Sequence, residues 1–166
     1  MTRTDTPAAP DERTTVMTLL RYARETALAK VEGLSDDLAH AAPVATSPMM
    51  APAAILNHLR WVEHWWVEVV TLDREDLAPM TEEDPDGEFT VAFSMPLARV
   101  VADYRAQIET CDALLADLDL DAPTAKPLRD FHPNVRWVVL HLIEETSRHN
   151  GHLDLLREMA DGVTGD

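Results

Sequence analysis

The chain has 166 residues, 46% of them apolar, with only five glycines and a formal net charge of −16. That length suits one domain, and the composition excludes a disordered chain and favours helices over a turn-rich β fold. The negative charge, with no Lys/Arg cluster to override it, argues against nucleic acid and against an anionic membrane surface as partners.

The sole cysteine, Cys111, permits no intramolecular disulfide, which fits a reducing, cytoplasmic setting. The opening MTRTDTPAAPDERTT has no apolar signal-peptide core. Stretches such as WVEHWWVEVV carry charges and are too short to span a bilayer. The expectation is a single soluble domain over residues 1–166, with residues 1–10 as a loose polar tail, acting on a small molecule.

A first helix starts near Asp11, where Val16, Leu20, Ala23, Ala27, Val31 and Leu34 recur at three- and four-residue steps. GLSDD ends it, and APVATSPMMAP is a connector. A second helix is expected from about Met50 to Leu72, with Pro52 in its first turn and a stripe of Ile55, His58, Leu59, Val62, Trp65, Trp66 and Val69. His64 falls off that stripe and is expected to be exposed. The connection DREDLAPMTEEDPDGEFTVAFS is longer than a bundle hairpin needs and is expected to cover something, with GEFTVAF as a short extended piece.

A third helix spans about Pro96 to Leu118, with Ser94 as its expected N-cap and a stripe of Leu97, Val101, Tyr104, Ile108, Cys111 and Leu115. Cys111 reads as a small core residue. The fourth helix runs from about Asn134 to Ala160, closed by Gly162. Four amphipathic stripes predict an all-α four-helix bundle, because each apolar face needs a partner.

The chemistry lies in HLIEETSRHNGH, residues 141–152. With His141 at zero on a helical wheel, Glu145 lies at about 40°, His149 at about 80° and His152 at about 20°. Trp137, Val138, Leu142, Leu156 and Met159 centre near about 30° on that wheel. Glu145 is thus expected mid-stripe, as is His58 on the second helix. One His on an apolar face is usually a neutral core residue bonded to a neighbouring carboxylate. Three polar groups buried together ask for more, and a divalent cation satisfies all of them. Glu145 and His149, at i and i+4, stand about 5–6 Å apart at Cβ, and His58 supplies a third ligand from a facing helix. Two nitrogens and a carboxylate suit Zn²⁺, with Ni²⁺ and Fe²⁺ as alternatives. Spacing leaves two rival pairs open, His141 with Glu145 and His149 with His152.

ILNHLRWVEHWW together with VRWVVLHLIEETSRHNGHLDLLREMADGVTG resembles the DinB/YfiT-like superfamily, in particular a branch of mostly actinobacterial members. The resemblance implies a DinB-like four-helix bundle with a divalent metal held by three side chains, often three histidines. The matching positions are His58, Glu145 and His149, with Glu145 where many relatives have His. A relative, mycothiol-dependent maleylpyruvate isomerase, also uses a His/Glu/His set, and other members are thiol S-transferases that use bacillithiol or mycothiol. The resemblance therefore implies a metal-dependent transferase or isomerase with a mycothiol-type cosubstrate.

Three protein ligands leave an open coordination position, as catalytic sites do. His152 reads as a fourth ligand, a supporting donor, an acid/base or a solvent-facing residue. His141 reads as a group steadying Glu145 or as plain packing. Trp61, Trp65, Trp66 and Trp137 could line a pocket, but Trp65, Trp66 and Trp137 are expected in the core, where aromatics at helical spacing usually lie. A metal-dependent hydrolase, and a non-catalytic bundle that binds a ligand or pairs into a homodimer, stand as alternative functions.

Overall fold

A computed structural model describes residues 11–164, so the expected loose tail at 1–10 lies outside the described residues. Helix α1 (Glu12–Val31) starts where Asp11 accepts a hydrogen bond from the Thr14 amide. All six apolar positions of its expected stripe are buried. Gly33, at φ +80°, supplies the left-handed turn that follows. The short α2 (Asp36–Ala39) comes next, capped by Ser35.

Helix α3 (Pro52–Glu63) has proline in its first turn, where no intrahelical amide is needed. It continues without a break as a π-helix, His64–Thr71. Helix α5 (Leu97–Leu115) and helix α6 (Val135–Asp161) complete four long rods. Helix α1 packs most extensively on α6, while α3 lies against both α5 and α6. The result is the expected all-α bundle, with no β-strand among the described residues, only isolated bridges at Pro123–Asn134 and Leu128–Phe131.

Two local expectations fail. GEFTVAF is not extended: it forms helix α4 (Gly87–Thr90) and a 3₁₀ turn (Val91–Ser94). The preceding acidic turn starts it, with Asp86 O accepting from the Phe89 amide and Asp84 accepting from the Thr90 hydroxyl. Ser94 does not cap α5, because its hydroxyl donates back to Val91 O. The cap comes from across the fold, where Asp36 Oδ1 accepts from the Leu97 amide at 2.8 Å.

The apolar interior divides into two clusters. One gathers Leu56, Leu59, Tyr104 and Leu153; the other gathers Leu20, Val67, Leu115 and Leu142. Between Leu20 and Ala27 on α1, and between Leu59 on α3 and Val67 on the π-helix, sits a buried polar layer that the stripes did not predict. Arg24 donates to both Glu63 oxygens, at 2.8 and 2.7 Å, and Tyr104 donates to Glu63 Oε1 at 3.3 Å. Burial opposes the guanidinium charge, yet the Glu63 carboxylate more than offsets it and holds Arg24 above the usual arginine range. Among the described residues no helix is long and apolar enough to cross a membrane.

Candidate metal and thiol site

His58, in the middle of α3, meets Glu145 and His149 on α6. One ligand atom from each lies within 4.8 Å of the others. The two imidazoles meet edge to face with centroids 4.7 Å apart, and His149 Nε2 is 3.7 Å from Glu145 Oε2. The structure thus brings together the three residues that sequence reasoning selected.

Their setting differs from the expected one. The buried line of α6 runs through Val138, Val139, Leu142, Thr146, Leu153 and Leu156, about 70° round the wheel from Glu145. The close packing of α1 on α6 draws that line toward α1, so Glu145 is half-buried at its margin. Met159, also assigned to the stripe, is 58% exposed. The His/Glu group therefore lies at the rim of the bundle.

The over-long second connection does cover something. Glu88 and Phe89 of α4 fold over His58: the Phe89 ring stacks on the imidazole at 4.4 Å, and Glu88 Oε1 stands 3.1 Å from His58 Nδ1. That approach is out of line for a hydrogen bond, so Nδ1 is buried with no bonded partner. Asn57 anchors the cover by donating to Glu88 O at 2.6 Å. Gly87 is needed at the edge of this cover, because a Cβ there would collide with the Pro79 carbonyl.

His149 is held neutral. Burial is the main cause, and the neighbouring His58, His152 and Arg148 reinforce it, bringing its pKa down to about 4. His152 Nδ1 lies 3.3 Å from His149 Nδ1, so one of these rings donates to the other. The neutral His149 imidazole, the His58 ring and the Glu145 carboxylate form a donor set that fits a borderline divalent cation.

The sequence profile of the mycothiol-S-transferase family matches residues 15–162. The chain belongs to that family. This is a DinB-like family, in keeping with the resemblance read from the motif segments. No curated protein matches the chain.

The other polar and aromatic residues of this mycothiol-S-transferase family member surround the group unevenly. His141 makes no hydrogen bond to Glu145; its Nδ1 is nearest Glu144 Oε2, at 3.6 Å. It shares a second close group with Glu144 and Glu145, but Arg148 claims Glu144 at 2.6 Å. His141 stacks on Trp137 at 4.9 Å and meets Trp66 edge-on at 4.6 Å. Trp65 and Trp137 are not core: they are 36% and 37% exposed. Trp61 lies under the Arg60 guanidinium.

His64 is buried, against expectation. The stripe considered only one side of the second helix, but α5 packs on another side and the chain after Leu72 closes over a third. His64 Nε2 accepts from the Leu77 amide at 3.0 Å, and Nδ1 faces Glu68 at 3.1 Å. Cys111 is buried as expected. Burial, with Glu63 nearby, pushes its thiol far above the ordinary range, so it is no nucleophile.

Proposed function

We propose that the chain is a divalent-metal-dependent transferase that uses mycothiol or a closely similar thiol. The observation that carries the reading is the convergence of His58, Glu145 and His149 in a chain matched over residues 15–162 by the mycothiol-S-transferase profile. The donor set favours Zn²⁺ over harder cations. A cation held by these three side chains lowers the pKa of a thiol brought to it, so that the sulfur reacts as thiolate near neutral pH.

In this reading each protein group has a separate task. His58 and His149 offer neutral nitrogens from two different helices, which fixes the spacing between them. Glu145 supplies a negative charge that moderates the acidity of the centre. Phe89 stacks on the His58 ring and keeps water from it, and the Glu88 carboxylate beside Nδ1 adds a negative charge that favours a cation there. His152, half-buried beside His149, takes the thiol proton and returns it to solvent. The sulfur lone pair then forms a bond to the electrophilic carbon of the second substrate, and the leaving group departs with its bonding pair.

The test is metal content of untagged protein by elemental analysis, beside His58→Ala and Glu145→Ala. It is followed by mycothiol conjugation of an electrophile with and without chelator. The reading requires near-stoichiometric metal in wild type, its loss in both variants, and turnover that stops on chelation. Wild-type protein that takes up no metal, or turnover indifferent to chelator, overturns it.

A further inference from the structure

We propose that the cavity between the π-helix and the loop at residues 128–131 seats a planar aromatic portion of the electrophilic substrate. This rests on the transferase reading and adds the substrate class. The cavity holds about 440 Å³ and is lined by Trp65, Trp66, Leu128, Arg129, Asp130 and Phe131. That volume lies in the range of small-molecule pockets and accommodates one or two fused rings.

The cavity is built, not incidental. Leu128 and Phe131 exchange backbone hydrogen bonds at 2.9 and 2.8 Å, which fixes the tip that presents Phe131. The amides of Ala125 and Lys126 donate to Thr71 O and Val70 O, each at 3.0 Å, tying the same loop to the end of the π-helix. The two walls are therefore set before anything binds. Yet Phe131 remains 47% exposed, and Trp65 and Trp137 keep more than a third of their surface in water. Three large aromatics thus keep much of their surface open to water beside the cavity.

The wall also leads to the reacting centre. Phe131 meets Trp137 at 5.1 Å, Trp137 stacks on His141 at 4.9 Å, and Trp66 contacts both Trp137 and His141. His141 in turn lies in one close group with Glu145. Trp65 and Trp66 follow His58 by about two helical turns, so a ring held in the cavity by stacking serves a substrate whose electrophilic carbon stands on a tail that spans that gap. The surfaces offered are aromatic faces and edges, which select a flat ring over an aliphatic chain.

The probe is 1,3-dinitrobenzene, which has no leaving group and quenches tryptophan fluorescence on contact. Wild-type protein binds it saturably, and equally well after metal is removed by chelator. Phe131→Ala and Trp65→Ala each weaken binding about tenfold through loss of one stacking face. Their metal content stays at the wild-type level, which separates a lost seat from a misfolded centre. With mycothiol and an aryl-alkyl bromide whose reactive carbon stands at the end of a flexible tail, where the carbon–sulfur bond forms as bromide leaves with its electron pair, KM rises by a similar factor in both variants. Absence of saturable binding to wild type, or unchanged affinity in both variants, overturns the proposal. So does sedimentation showing a dimer that covers the aromatic wall and excludes the probe. Saturable, variant-sensitive binding with no turnover for any thiol leaves the seat standing and refutes the transferase reading alone.

Discussion

The imidazoles of His58 and His149 face each other edge to face across the seam between α3 and α6, 4.7 Å apart at their centroids. Neither residue can keep this arrangement by local helix geometry alone, because they come from different rods. A cation shared between them and Glu145 should link the two helices. Removing any one of the three is expected to lower metal affinity by at least about 100-fold, the upper end of what outer-sphere changes cause. Adding Zn²⁺ should raise the melting temperature of wild type and leave His58→Ala unchanged. A equal rise in both proteins in a thermal scan would remove His58 from the ligand set.

Glu88 offers a milder test of the same centre. Its carboxylate stands 3.1 Å from His58 Nδ1 and is not one of the three grouped ligands. Glu88→Ala is expected to weaken metal binding by up to about 10-fold without abolishing it. Gly87→Ala should act in the same direction, because the added methyl meets the Pro79 backbone and must displace α4. Competition titration with a chromogenic chelator reads both variants. Wild-type affinity in both would show that the cover does not steady the ring.

In metal-free protein His149 has a pKa of about 4, below the value of about 6.5 for an unfolded chain. Between those values the unfolded state binds the proton first. The stability this group contributes is therefore whole above about pH 6.5 and is lost as pH falls through about 4. Chemical denaturation of metal-free wild type should show this loss, and His149→Gln should flatten it. The ring protons of His149 should not titrate by NMR until well below pH 6, and a midpoint near 6.5 would refute burial as the governing cause.

Arg24 and Glu63 are both 1% exposed and joined by two hydrogen bonds. Glu63→Ala leaves a buried guanidinium with only the partly exposed Asp112 to pair with. The expected cost is about 3–5 kcal/mol. Arg24→Met combined with Glu63→Leu should cost far less, since no buried charge then remains. Urea denaturation distinguishes the two outcomes, and equal losses would mean that packing, not charge, dominates at this layer.

The helices and the His/Glu group were legible because both obey simple periodicity. Val16, Leu20 and Ala27 repeat at helical spacing, and Glu145 and His149 share a face whatever the bundle does around them. What was hidden depends on contacts between distant segments. Glu63 looked like any polar residue beside a stripe until Arg24 met it across the bundle. His64 was misread because α5 and the Leu77 amide cover the side that one stripe treats as solvent. The wheel for α6 centred the buried face close to Glu145, but the buried line runs through Leu142, Thr146 and Leu153, which moves Glu145 from the middle of that face to its edge. The cover over His58 had only a length signal: the second connection was too long to be idle, but nothing local marked Glu88 or Phe89.

The π-helix from His64 to Thr71 bonds each residue to one five positions away, and Thr71 Oγ1 reaches Trp66 O across that same interval. Such winding turns less per residue than α3 does. It works as a phase shifter. Val67 and Thr71 arrive on the inside, while Trp65 is released outward to face the 128–131 loop. Deleting one residue from this segment would restore ordinary pitch and dismantle one wall of the cavity, although His58, one and a half turns upstream, would keep its place. The length of these eight residues thus tunes what the protein can hold separately from what it can ligate.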